Sequence, residues 1–153
     1  RGASVRKASL DEVRQIYRAR IALEGISAGD FALKADQKLK ARLQGLQQDL
    51  ERCVDENAPE RFGRLNTEWH NLIVEGSGNT VVGEILRRLN APIHHLMFES
   101  FYNVERLKTA IADHCVILAA ILAGEAAEAE SAMRKHIEDG FATLSYIDRE
   151  FGR

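Results

Sequence analysis

The chain has few of the residues that would staple it or break its helices. In 153 residues there are two cysteines and two prolines. Cys53 and Cys115 fall in helical stretches and form neither a CxxC pair nor a Cys/His finger. That excludes a disulfide scaffold and a zinc finger, and it suits a reduced, cytoplasmic protein with both thiols structural. An excess of charge of one sign is also missing. The 21 basic and 23 acidic side chains leave a net charge of −2, so this segment lacks the basic surface with which proteins grip nucleic acid. No apolar run approaches the roughly 18 residues of a membrane span, and no signal peptide is present, so neither membrane insertion nor export is indicated. No segment alternates with period two for long enough to be a strand. There is no internal repeat and no low-complexity tract.

What is present is helical periodicity in a chain that is 45% hydrophobic and 29% charged, enough for one domain with a real core. Residues 1–8, RGASVRKA, are basic and without period, and they read as a linker or the end of a preceding unit. The absence of an opening methionine suits a piece of something longer. Ser9 and Glu12 form a capping box that opens a helix to about residue 33. Its inward face carries Val13, Ile16/Tyr17, Arg20, Leu23/Glu24 and Ser27. A second helix, 35–57, places Leu39, Leu43, Leu46 and Leu50 on one side. Pro59 starts a third, 59–76, with Phe62, Leu65, Trp69, Leu72 and Ile73 inward. Asn79 caps a fourth, 79–90, with apolar Val81, Val82, Ile85, Leu86 and Leu89. A fifth opens near Pro92 and carries Ile93, Leu96, Met97 and Phe101. The fold class is therefore all-α, an antiparallel bundle of six to seven helices.

The stretch 113–140 supplies the last two helices, folded about Ala123-Gly124-Glu125. His114 lies in the apolar stripe of the first, with Leu107, Ala110, Leu118 and Ile121. His136 lies in a small-residue stripe of the second, with Ala129, Ala132, Met133 and Gly140. The histidines stand ten residues before Gly124 and twelve after it, so an antiparallel pair brings them nearly level. Two inward histidines at one level are either a metal site or a hydrogen-bonded core pair.

Asn66 and His70, four apart on the third helix, extend the set to four. Inward ligands from facing helices are how bundles build metal sites, and imidazoles with oxygen donors suit zinc, nickel, iron, manganese or copper. His94 and His95 are adjacent and cannot both face inward, so they are peripheral or line a pocket. Arg20 is a cation on an apolar face. It either pairs with Glu24 one turn on, or points into a cavity and binds an anion.

These motifs, in this order, resemble a known family: the FCD effector-binding domain of FadR-type regulators in the GntR superfamily. IYRARIALEG at 16–25 is similar to the family's opening arginine and leucine-glutamate motif. NTEWH at 66–70 resembles Asp-x-x-Phe-His, followed by EGSGN at 75–79. DHCVILAAILAGEAAEA at 113–129 and MRKHI at 133–137 resemble the remaining ligand motifs. The resemblance runs from about Ser9 to Asp148, which sets the domain at 9–153, and RGASV resembles the end of the winged helix-turn-helix unit that precedes it in the family.

The resemblance implies a ligand-sensing domain and not an enzyme. His70, His114 and His136 match the family's metal-binding histidines, and Asn66 stands where an aspartate is usual. A divalent transition metal, zinc or nickel, is the implied cofactor, held more weakly because the amide brings no charge. Arg20 matches the cavity arginine, where an effector carboxylate would bridge metal and guanidinium. Asn79, Glu24 and Arg106 are further candidates for lining the pocket. The implied partners are a small organic acid, DNA through the preceding N-terminal unit, and a second copy in a homodimer. The alternative is a small metal-dependent enzyme with a three-histidine site, but Glu68 lies two residues from His70, on another face, and offers no well-placed base.

Overall fold

Ser9 opens the first helix as its sequence predicts. Its hydroxyl accepts from the Glu12 N–H at 3.2 Å, and the Glu12 carboxylate takes the Ser9 N–H at 2.8 Å. The computed structural model describes residues 7–151. The reading of residues 1–8 as a linker therefore lies outside the described residues but for Lys7 and Ala8, as do the last two residues of the 9–153 domain. Seven α-helices follow one another: α1 (Leu10–Lys34), α2 (Gln37–Asp55), α3 (Pro59–Gly76), α4 (Thr80–Asn90), α5 (His94–Ser100), α6 (Val104–Leu122) and α7 (Ala126–Phe151). A 3-10 turn, Ala91–Ile93, leads into α5. There is no strand among the described residues, as expected of an all-α bundle.

Helix boundaries follow local chemistry. The second helix starts at Gln37 rather than at 35, because Asp36 caps it by accepting from Leu39 N–H at 2.8 Å. Pro92 sits in the 3-10 turn, where its fixed φ is tolerated and no helical N–H is lost. Asn103 caps α6 through both Glu105 and Arg106 N–H. The turn from α6 to α7 is a Schellman motif. Gly124, at φ +70°, donates to Ile121 O at 3.0 Å, and Glu125 donates to Ala120 O at 2.9 Å. Only glycine adopts that φ without strain.

The buried face of α1 is the one its spacing predicts, with Val13, Tyr17, Arg20, Glu24 and Ser27. The helix packs chiefly on α7. Gly25 allows the close approach, since a Cβ there would stand 2.8 Å from Arg134 Cγ. The α3 face of Phe62, Trp69, Leu72 and Ile73 is buried between α2 and α1. On α4 only part of the apolar set is buried. Val82 and Leu86 are buried, but Val81 is 66% exposed and Ile85 42%. This helix is covered on one side only: Val81 and Ile85 lie on its uncovered side, while the buried Leu86 is a wall of the neighbouring cleft.

Gly76, at the end of α3, meets the fully buried ring of Phe31 on α1. An added Cβ would fall well inside van der Waals contact of Phe31 Cε2. Gly76→Ala is expected to destabilise the domain by about 1–3 kcal/mol through overpacking. At about 2–4 °C per kcal/mol for a domain of this size, thermal melts followed by circular dichroism will show it. An unchanged melting temperature would mean that α3 can withdraw from α1 at no cost.

Candidate metal centre

The antiparallel fold of α6 onto α7 brings His114 and His136 level, and α3 delivers His70 to the same point. His114 Nε2 lies 3.2 Å from His136 Nε2, and His136 Nε2 lies 3.4 Å from His70 Nε2. One nitrogen from each of the three rings can be chosen so that none is more than 4.8 Å from another. For comparison, two nitrogens held about 2.0–2.1 Å from one tetrahedral zinc ion lie about 3.3–3.4 Å apart. His114 and His136 are buried, and His70 is nearly so.

The neighbours of the rings set their protonation. Asp113 Oδ2 stands 3.0 Å from His136 Nδ1, so that nitrogen carries the proton and donates to the carboxylate. His70 Nδ1 lies 3.2 Å from Glu24 Oε1, a close contact but too bent for a well-aligned hydrogen bond. The carboxylate favours the proton on Nδ1 there as well. The facing Nε2 atoms of His70 and His136, 3.4 Å apart, are then both lone pairs, and a proton on His114 Nε2, 3.2 Å from His136, satisfies only that one. Protonation is a poor remedy. Burial, reinforced by the neighbouring imidazoles, pushes His114 and His136 well below the ordinary histidine range. Trp69 stacks on His114, with ring centroids 3.9 Å apart and planes 6° from parallel, and so fixes that ring's orientation.

Asn66 shares the wall of this site. Its Oδ1 is buried and accepts no hydrogen bond, an orphaned donor oxygen beside three convergent nitrogens. The set fits a borderline transition metal such as zinc or nickel. Arg20 takes the first of the two alternatives left by its sequence position, pairing with Glu24, while its side chain also borders the cavity. Its Nη2 donates to Glu24 Oε2 at 2.8 Å, both side chains being buried, and it also lines the cavity. Burial opposes the charge on Glu24, yet Arg20 together with His70 outweighs it and holds the carboxyl at about 2.

Two spaces meet at Arg20, Asn66, His70 and Met97. The outer one is a cleft of about 860 Å³ between α3 and α4, and Asn79, Asn90 and His94 are among its other walls. The inner one is a chamber of about 30 Å³, reached by His136, Tyr17 and Arg106. Asn79 is partly committed elsewhere, since its Oδ1 accepts from Val82 N–H at 3.1 Å to cap α4. Arg106 is less committed: it lies over the Phe101 ring, but Nε and Nη1 are buried without a hydrogen-bond partner.

Sequence reasoning missed Asp113, Trp69 and Met97 as neighbours of the site. Asp113 was within reach, because the register that levels His114 with His136 also places the residue before His114 beside that ring. Trp69 stacking on His114 and Met97 Sδ 3.3 Å from Arg20 Nη1 depend on the rotation of α3 and α5, which spacing does not give.

Residues 15–139 match the family model of the FCD domain, and the chain belongs to that family. It is 25% identical over 114 residues to an HTH-type transcriptional regulator, YdhC of Bacillus subtilis, covering 74% of this chain and 51% of YdhC. The chain thus spans about half the length of that relative. Among solved structures, McbR/YncC of E. coli superposes with a TM-score of 0.81 at 18% identity, over 88% of this chain and 68% of its own. GntR of Streptococcus agalactiae superposes with a TM-score of 0.73 at 23% identity, over 86% and 58%. These likenesses confirm the fold. YdhC is named as a regulator and not as an enzyme, which goes against the enzyme alternative. No described helix is long and apolar enough to cross a membrane.

A pH dependence follows from the burial. The unfolded chain takes up protons on its histidines below about 6.5, whereas the folded domain resists doing so at His114 and His136. Their contribution to stability is therefore full above pH 6.5 and is lost as pH falls. Glu24 adds a second loss between about 4.5 and about 2, because its folded carboxyl stays ionised to lower pH than its unfolded one. Melting temperatures of the metal-free domain should fall steadily below pH 6.5, and His136→Gln should lessen the drop between 6.5 and 4.5. Equal melting temperatures at pH 7 and pH 5 would show that the buried imidazoles take up charge freely.

Proposed function

We propose that this domain is the ligand-sensing part of a GntR-family transcriptional regulator. A divalent transition metal is held by His70, His114, His136 and Asn66, and a small organic acid binds in the adjoining cavity. The observation that carries the reading is the convergence of three Nε2 atoms, with His136 Nε2 3.2 Å from that of His114 and 3.4 Å from that of His70, and with Asp113 and Glu24 behind His136 and His70. A structural histidine network would place a donor against an acceptor. Here carboxylates behind the rings turn both lone pairs to one point, as at metal sites.

The rest of the proposal concerns what the site is coupled to. Arg20, Glu24, Asn79 and Arg106 line the space that the effector enters. DNA is contacted by the helix-turn-helix unit of the whole regulator, which acts as a homodimer in the cytoplasm. Effector binding shifts the population of domain arrangements and so the spacing of the two DNA-binding units, to which operator half-sites are sensitive. Against an enzyme, Glu68 is exposed and pairs with Arg42 at 3.4 Å. The carboxylates nearest the histidines, Glu24 and Asp113, are both engaged.

The test is elemental analysis of the purified domain after incubation with zinc or nickel, alongside His136→Ala. About one equivalent of metal in the parent and little in the variant is expected. Absence of metal from the parent would overturn the metal assignment. Asn66→Asp supplies a charge to offset the dication and is expected to tighten zinc binding about tenfold or more, read by competition with a chromophoric chelator. Unchanged affinity would remove Asn66 from the ligand set.

A further inference from the structure

Arg106 carries an inference that rests on the effector-sensing reading and sharpens it. Two guanidinium groups stand beside the histidines, and only one has its counter-charge. Arg20 is matched by Glu24 at 2.8 Å. Arg106 has no carboxylate within ion-pair distance among the described residues. Its Nε and Nη1 are buried without a hydrogen bond, and Cζ lies 5.7 Å from the ring centroid of Phe101. The acidic groups that it senses at longer range are engaged by others. Asp113 meets His136 at 3.0 Å and Lys135 at 3.5 Å, and Asp139 meets Lys135 at 2.7 Å. Burial opposes the charge on Arg106, while Tyr17, Asp113 and Asp139 offset it only in part.

A part-buried cation with two buried, unpaired donors is costly, and folds rarely keep one idle. The space in front of this one has the size and lining of a receptor for an anionic group. The inner chamber, about 30 Å³, has room for about two waters, which is the bulk of one carboxylate. Gly140 helps to keep it open, since a Cβ there would stand 3.2 Å from Arg106 Nη2. The chamber's ionisable walls are Tyr17, Arg20, His70, Arg106 and His136, with no acidic side chain among them. Arg20, already neutralised, fits an anion less well.

We infer that Arg106 is the seat of the effector's carboxylate. The anionic head enters the inner chamber, and the body extends past Arg20, Asn66, His70 and Met97 into the outer cleft. That selects an organic acid with a terminal carboxylate on a slender chain. The body is polar, because Asn90 Oδ1 is a buried acceptor without a donor on the wall of that cleft.

The test uses sodium formate, the smallest carboxylate and a probe for the head alone, with the parent chain, Arg106→Met and Arg106→Lys. Melting temperature, saturation-transfer NMR on the formate proton and zinc content are measured on the same samples. In formate-free buffer Arg106→Met is expected to melt about 2–4 °C above the parent, because an unpaired buried charge has gone. Millimolar formate raises the melting temperature of the parent, does not raise that of Arg106→Met, whose formate affinity falls at least tenfold, and partly raises that of Arg106→Lys. Two results overturn the inference while leaving the effector reading intact: formate binding that survives Arg106→Met in protein that takes up zinc, or an Arg106→Met variant that melts lower or fails to fold. A parent that binds neither zinc nor formate overturns both.

Discussion

The rest of the site depends on one buried carboxylate. Glu24 reaches Arg20 with one oxygen and His70 with the other, at 2.8 and 3.2 Å, so a single side chain on α1 neutralises a cation and orients an imidazole on α3. Without it, Arg20 would be a second bare charge in a desolvated space, and His70 would lose the group that keeps its proton on the far side of the ring. The Arg20–Glu24 pair is also what allows α1 to be buried on a face so rich in polar groups. An ion pair of this kind is weak evidence for stability, because desolvation consumes much of the Coulombic gain, but breaking it from one side is severe. Its role is to fix geometry.

Around this pair the domain tolerates several groups that a purely structural bundle would not keep. Asn66 Oδ1, His114 Nδ1, Trp69 Nε1 and two nitrogens of Arg106 are all buried without partners. In ordinary cores buried polar atoms are nearly always satisfied. Here most of the exceptions lie about one point, Gln47 Oε1 on α2 apart, while α2 contributes the fully buried Leu43 and Leu50 to the apolar core. Stability is supplied by that apolar core, and the orphaned groups are concentrated where binding would satisfy them. Such a division is the usual relation between a stable scaffold and a costly site.

How far the sequence foretells this differs from element to element. Ser9 and Asn79 cap helices as their sequence predicts, because N-caps depend on local hydrogen bonds, and the structure adds Asp36 and Asn103, which the same local rule covers. The meeting of His114 with His136 is legible too, since Gly124 fixes the turn and the rise per residue does the rest. The partnership of Arg20 with Glu24 follows from their four-residue spacing. What spacing cannot give is the rotation of one helix against another. Trp69 flat on His114 and Met97 against Arg20 both turn on such rotations, whereas Asp113 beside His136 needs only the register of α6 against α7. The exposure of Val81 and Ile85 has a related cause: periodicity says which residues share a face, but not whether a neighbour covers it.

Asn66 ties the two halves of the proposed function together. With an aspartate there, the ligand set would carry one negative charge towards a dication. With an amide it carries none, and the cavity already contains Arg106 without a counter-ion. A metal entering such a site raises a positive potential that only an incoming anion can lower, and an anion seated at Arg106 lowers the cost of admitting the metal. Coupling of that sort is reciprocal: whatever factor the effector lends to metal affinity, the metal returns to effector affinity. On the proposed reading, the departure from the usual aspartate therefore shifts the balance of charge from the protein to the ligand. It makes this site one that is filled by metal and organic acid together more readily than by either alone.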